Sequence, residues 1–295
     1  MDNTKRRWGD RRDGRWLREE DSLHQITPYL MPNRADNEAF IKEQIDLTAI
    51  NAYLAEKNAG DIDFKYTFFH IIVAALVKSV VLRPRMNRFI QGRRLYQRNE
   101  LSAAFVVKKQ FTDSAHEALA FIRFTEEDTV DTIHNKIRDE VRINRKAGNV
   151  DNSTSVMDAI CKLPRPILRF LMWLLHGLDF LGKVPYDLIK TDPNYATLFL
   201  SNLGSIRLNA GYHHLNNWGT NSIFVTIGEK HMAPFYDAEG HVEMREVLDL
   251  GLTLDERIAD GYYYSGTVAL VKELLQHPEL LELPACTPVE YAITR

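Results

Sequence analysis

The chain has 295 residues, 45% of them hydrophobic and 26% charged, with a formal net charge of −3. That composition suits a soluble globular protein with one large core or two modest ones, and so small a net charge gives no global case for nucleic acid or a membrane. The two cysteines, Cys161 and Cys286, lie far apart and outside any metal-ligand spacing, so no metal is expected and a reducing compartment, the cytoplasm, is the simplest setting.

Residues 1–35 read as a basic N-terminal arm, in which "KRRWGDRRDGRWLREED" interleaves arginines with Trp8 and Trp16. Such a pattern can signal nucleic-acid binding, but acidic residues are interspersed. The arm is expected instead to wrap its own domain or a neighbour, with the tryptophans as anchors. No apolar run follows it, so it does not read as a signal peptide. One domain is expected over 36–295, as a mixed sheet with helices and no internal repeat.

Within that domain "EAFIKEQIDLTAINAYLAEK" predicts a strand ending near Asp46 and a helix capped by Asp46 or Thr48. "DFKYTFFHIIVAALVKSVVLRPRMNRFI" predicts a long helix, apolar on nearly all sides and therefore buried, closed by Pro84. "RRLYQRNELSAAFVVKKQ" reads as two strands around a turn at Asn99, and "ALAFIRFT" as a third. "EDTVDTIHNKIRDEVRINRKAG" reads as a polar-faced helix opened by Asp128 and Thr129. "NVDNSTS" has the composition of a linker.

"PRPILRFLMWLLHGLDFLGKVP" follows, its apolar run broken by Arg169, His176, Gly177 and Asp179. Spanning a bilayer takes about 20 largely apolar residues, so residues 164–182 are expected to form an amphipathic helix packed on the core or on another subunit. Peripheral membrane contact is the lesser alternative. Three strands are then predicted in "DPNYATLFLSNLGSI", "NSIFVTIGEKH" and "REVLDLGLTLDER", and a last helix, "YSGTVALVKELLQHPELLE", closing on Pro284.

The order of "IDLTAI", the buried helix with "RPRMN", "SNLGSI" and "DERIADG" resembles the catalytic core of the dihydrolipoyl acyltransferases of 2-oxo acid dehydrogenase complexes. It also resembles chloramphenicol acetyltransferase, which shares that core. The similarity runs from about Glu38 to Pro284. Each motif is short, and their order carries the resemblance. It implies an α/β fold, a chloramphenicol acetyltransferase-like mixed β-sheet flanked by helices. It implies a homotrimer with active-site channels between subunits, alone or within a larger cage. The implied substrates are coenzyme A or acyl-CoA, a small-molecule thioester. Lipoyl-bearing and peripheral-subunit-binding modules are not expected in the first 35 residues.

By position, the resemblance makes Ser201 the oxyanion donor and Asp260 the group that orients the base, with Gly261 allowing the turn. The base position, where the family has histidine, is Glu256. Reference pKa values of about 6.5 and 4.3 make glutamate the weaker base by roughly 3 kcal/mol. Burial could restore part of that. The bland reading has Glu256 paired with an arginine such as Arg257 or one from the arm, in a turn kept for folding. A tryptophan-and-arginine segment of the relatives suggests an ion pair from Arg18, in "WLR", to Asp260.

"AGYHHLNNWGTNS" places His213 and His214 between two strands. Either is a candidate substitute base or channel residue. Adjacent side chains in extended chain face opposite ways, so they are not expected to serve one site together. The expected function is a stand-alone acyltransferase-type core that performs CoA-dependent acyl transfer, or a degenerate derivative that only binds CoA or an acyl group. The alternative is a catalytically inactive trimeric scaffold, a pseudoenzyme.

Overall fold

The computed structural model describes residues 6–108, 117–145 and 160–293. The linker-like "NVDNSTS" lies outside them. The main sheet has seven strands in the order β2 (Glu38–Asp46), β10 (Val242–Asp255), β8 (Ile223–Ile227), β7 (Leu198–Asn202), β5 (Leu101–Lys108), β6 (Glu117–Phe124), with β9 (His231–Tyr236) paired to the outer half of β10. β5–β7 and β7–β8 are parallel and the other pairings antiparallel, so the sheet is mixed as expected. A small antiparallel sheet holds β1 (Gly14–Trp16), β4 (Arg94–Arg98) and β3 (Arg88–Gln91).

The alternation of side chains assigns the two faces. Leu198, Leu200, Ile223, Val225, Ile227, Leu250 and Leu252 belong to the main core, with α2 (Thr48–Lys57), α3 (Phe68–Leu82), α4 (Val130–Arg145) and α7 (Gly261–Gln276) packed over them. Phe199, Ser201, Phe224, Thr226 and Gly251 fall on the opposite face by the same alternation. The loop 207–222 crosses that face. It is held there by Thr226 Oγ1 donating to Gly211 O and by Glu38 accepting from Leu215 N. A Cβ on Gly251 would stand 2.2 Å from Gly211 O, so only glycine fits where the loop crosses.

Local choices follow the sequence. Asp46 Oδ1 accepts from Thr48 N at 2.8 Å and opens α2. α3 stops at Leu82, two residues before Pro84, which cannot continue a helix. Its one buried cation, Lys78, donates to the carbonyls of Leu280, Leu283 and Pro284, which replaces lost hydration.

β4 and β5 flank Asn99 as expected, each in a different sheet. Two points need correction. β9 was not foreseen. α7 ends at Gln276, ahead of Pro278, and "PELLE" is a separate 3-10 turn.

The N-terminal segment is folded against its own chain: β1 pairs with β4, and α1 (Ser22–Leu30) follows. Arg11 reaches the helix α5 (Arg165–Phe180), where it binds the buried Asp179 at 2.9 Å. Trp16 is an anchor, between the guanidiniums of Arg18 and Arg94. Trp8 is not, being 82% exposed. α5 is amphipathic as predicted, and among the described residues no helix is long and apolar enough to cross a membrane. The short α6 (Tyr186–Ile189) joins α5 to β7.

Candidate active site

The parallel pairing of β5 with β7 ends at Phe105 opposite Leu200, one residue before Ser201. Beyond that point the strands part, and a cleft of about 580 Å³ opens beside them. It is lined from both faces of the sheet, with Phe69, His70 and Phe105 from the helix side and His213 and Phe224 from the loop side. Ser201 stands at the division, and its hydroxyl has no hydrogen-bond partner among the described residues. The turn after it is built by Asn202, whose side chain accepts from Ser205 N, and by Gly204, where a Cβ would meet Gly228 O at 2.5 Å.

His213 lies flat on Phe224, ring centroids 4.1 Å apart and planes 9° from parallel. Its Nδ1 is 2.8 Å from His214 O. A carbonyl can only accept, so Nδ1 carries the proton and Nε2 keeps a free lone pair. His214 stacks on His213 at 4.5 Å but does not line the cleft.

His70 was missed as a cleft residue in the sequence, where it reads as one polar position in an apolar helix. Its signal is "TFFH": Thr67 caps α3, and three residues on His70 Nδ1 accepts from Thr67 N at 3.0 Å, a capping box with imidazole in place of glutamate. Nε2 therefore holds the proton, and it is buried without a partner among the described residues. Burial, and then the nearby His134, push its pKa down to about 3, so the ring is neutral at neutral pH.

The acidic turn lies elsewhere. Ser201 pairs with Thr226, and Thr226 with Gly251, but β10 runs antiparallel and carries Glu256 to the opposite end of the strands. Two strand spacings and five residues of rise separate the two by roughly 15–20 Å. Within one chain, Ser201 and Glu256 do not form a common site.

Three of the turn's four charges are occupied. Asp255 is fully buried and forms two 2.7 Å bonds to Arg257, with Arg34 a further 3.6 Å away. Arg34 and Arg257 then donate to the carbonyls of Asn216, Ile90 and Met31, which ties four segments together. Burial lowers the Arg34 pKa to about 10. Asp260 caps α7, accepting from Tyr263 N at 2.8 Å, and lies 3.6 Å from Arg85.

These contacts correct three assignments. The partner of Arg257 is Asp255 rather than Glu256. Arg18 donates to Trp8 O and stacks on Trp16, so its expected pairing with Asp260 is not formed within the chain. Gly261 begins α7 without a positive φ, and a Cβ there would meet nothing, so the turn does not require glycine. Glu256 is exposed and makes no side-chain bond among the described residues.

Residues 188–283 match the family described as 2-oxoacid dehydrogenases acyltransferase (catalytic domain). The fold is that of solved acyltransferase cores. A probable dihydrolipoamide acetyltransferase of Listeria monocytogenes aligns over 87% of this chain and 89% of its own, with a TM-score of 0.57 and 14% identity. The dihydrolipoamide acetyltransferase of Azotobacter vinelandii, investigated for the role of a serine, a histidine and an asparagine in its catalytic mechanism, aligns over 90% and 95%, with a TM-score of 0.59 and 16% identity. A chloramphenicol acetyltransferase aligns over 89% and 99%, with a TM-score of 0.52 and 14% identity. A comparison with curated proteins found no match. The sequence resemblance and the chloramphenicol acetyltransferase-like mixed α/β fold are thus both met.

Proposed function

We propose that this chain transfers an acyl group from a coenzyme A thioester to a thiol, amine or hydroxyl acceptor, with His213 as base and Ser201 as oxyanion donor. The observation that supports this most is the presence, in one cleft, of a serine hydroxyl without a partner among the described residues and an imidazole whose tautomer leaves Nε2 free. The acceptor binds in the cleft and gives its proton to His213 Nε2 as its heteroatom attacks the thioester carbonyl. Ser201 Oγ donates to the oxyanion of the tetrahedral intermediate. Collapse breaks the carbon–sulfur bond, and the coenzyme A thiolate takes the proton back from His213.

A second reading has its own observation. Glu256 is exposed, without a side-chain partner among the described residues, and at the far end of the strands from Ser201. It would meet a serine only in a neighbouring copy, as the expected homotrimer would allow. The fold likeness to the cubic core of a pyruvate dehydrogenase complex, TM-score 0.52 at 16% identity, is compatible with such assembly.

Release of free coenzyme A from acetyl-CoA, measured with thiol, amine and hydroxyl acceptors, tests both. Ser201→Ala should lower turnover about 10²–10³-fold and His213→Gln about 10²–10⁴-fold, with Glu256→Gln within about twofold. The reverse ranking of the last two assigns the base to Glu256 of a neighbour, and sedimentation then has to show the trimer. Absent turnover with calorimetric binding of coenzyme A leaves a binding core. Absence of both leaves a scaffold.

A further inference from the structure

α5 has two apolar faces and only one of them is covered. Leu168, Leu171, Leu175 and Leu178 are half-buried against the chain, and the last turn is fixed by Asp179, which accepts from Arg11 and from Gln91 Nε2. The other face carries Ile167, Phe170, Trp173, Leu174 and, just past the helix, Leu181; Phe170, Trp173 and Leu181 are 62%, 69% and 64% exposed. This stripe follows the i, i+3, i+7 spacing of a helix and extends about 21 Å.

The charges around it are of one sign. Between residues 160 and 183 stand Lys162, Arg165, Arg169 and Lys183, while the sole acid, Asp179, is buried on Arg11. None of the four cations has an acidic partner among the described residues. At the C-terminal end of the helix a hollow of about 570 Å³ lies between Phe180, Leu181 and the N-terminal segment, with Arg6, Arg7, Arg94 and Lys183 in its wall. Its one acid, Asp10, is turned inward, accepts from the backbone N–H groups of Arg7 and Trp16 and lies 4.0 Å from the Arg7 guanidinium, which leaves Arg6, Arg94 and Lys183 as the cations free of its carboxylate. The exposed Trp8 borders the same hollow.

An apolar stripe that ends in a cationic hollow matches an amphiphile with an anionic head. We propose that the outer face of α5 docks on a bilayer containing anionic phospholipid. The stripe lies in the interface, and the hollow at Arg6, Arg94 and Lys183 takes a headgroup phosphate. A second copy of the chain is a poorer occupant. Two such faces brought together about a twofold axis would oppose their own cations, whereas an anionic surface neutralises them. The long basic side chains flank the stripe, where they can reach headgroups while the aromatic rings sit below.

Co-flotation of the full chain with vesicles of phosphatidylcholine, with and without phosphatidylglycerol, tests this. The protein should float with the anionic vesicles and not with the neutral ones, and added salt should release it. Arg169→Gln with Lys183→Gln should weaken partition about 30-fold at low salt, from about 1 kcal/mol for each cation. Phe170→Asp with Trp173→Asp should abolish flotation while the thermal midpoint stays unchanged. Equal recovery with both vesicles, or recovery unchanged in either variant, overturns the proposal. So does a wild-type chain that fails to float and whose oligomer, seen by light scattering, is dissolved by Trp173→Asp. That result would assign the face to a second copy.

Discussion

Replacing Asp255 by asparagine separates folding from chemistry in the acidic turn. The side chain keeps its shape but loses its charge, so the Arg257 guanidinium, 1% exposed, stays buried beside a neutral amide. Arg34 at 3.6 Å loses the same counter-charge. Breaking a buried pair by removing one partner costs about 3–5 kcal/mol, since the remaining charge is still desolvated. Each kcal/mol is about 2–4 °C for a chain of roughly this size, which places the expected fall in melting temperature at roughly 6–20 °C. Glu256→Gln, one residue on but exposed and without a side-chain bond among the described residues, should change stability by no more than about 0.5 kcal/mol. Urea titration and thermal melts of the two variants give the comparison directly. If Asp255→Asn stays within about 1 kcal/mol of wild type, the Asp255–Arg257–Arg34 cluster does not hold these segments together, and the reasoning fails.

Two further outcomes follow from the geometry. Gly251→Ala places a methyl carbon 2.2 Å from Gly211 O and 2.5 Å from Thr226 Oγ1. It should cost about 1–3 kcal/mol and shift the loop that carries His213, visible as altered histidine resonances; an unchanged urea midpoint would contradict the close crossing. His70 is buried neutral with a pKa near 3, below its unfolded value of about 6.5. The unfolded chain thus takes up its proton first, and stability falls as pH drops below about 6.5. The loss should reach roughly 2–3 kcal/mol at pH 4.5. Urea midpoints measured from pH 7 to 4.5 should decline less steeply in His70→Gln than in wild type, and parallel slopes would count against the burial argument.

Much of the architecture was legible because separate levels of the sequence agree. The apolar run of α3, the Asp46 cap and the strand ending at "SNLG" each locate an element by its own local chemistry. β9 was hidden because Pro234 sits in "HMAPFY". Proline has no N–H for a ladder and argues against a strand, yet an outer strand tolerates it, and here Pro234 lies opposite Met244 at the sheet margin. Gly251 carried a readable signal, since a glycine inside a strand marks a close approach of backbone. What the loop 207–222 brings to that point is set by contacts far apart in sequence, and no local pattern shows it.

The turn itself illustrates how a motif misleads about its own partners. In "LDER" the adjacent Glu256 and Arg257 look like a pair, but β10 ends at Asp255 and the chain then turns, with Ile258 N donating to Asp255 O. In that turn the buried Arg257 folds back to donate to Asp255, and Glu256 is left exposed. With Asp260 spent on capping α7, Glu256 is the one charged residue of the four without a local bond among those described. A substitution at that exposed position should leave the fold intact. Replacing Glu256 by histidine should therefore leave the Asp255–Arg257 cluster holding the turn.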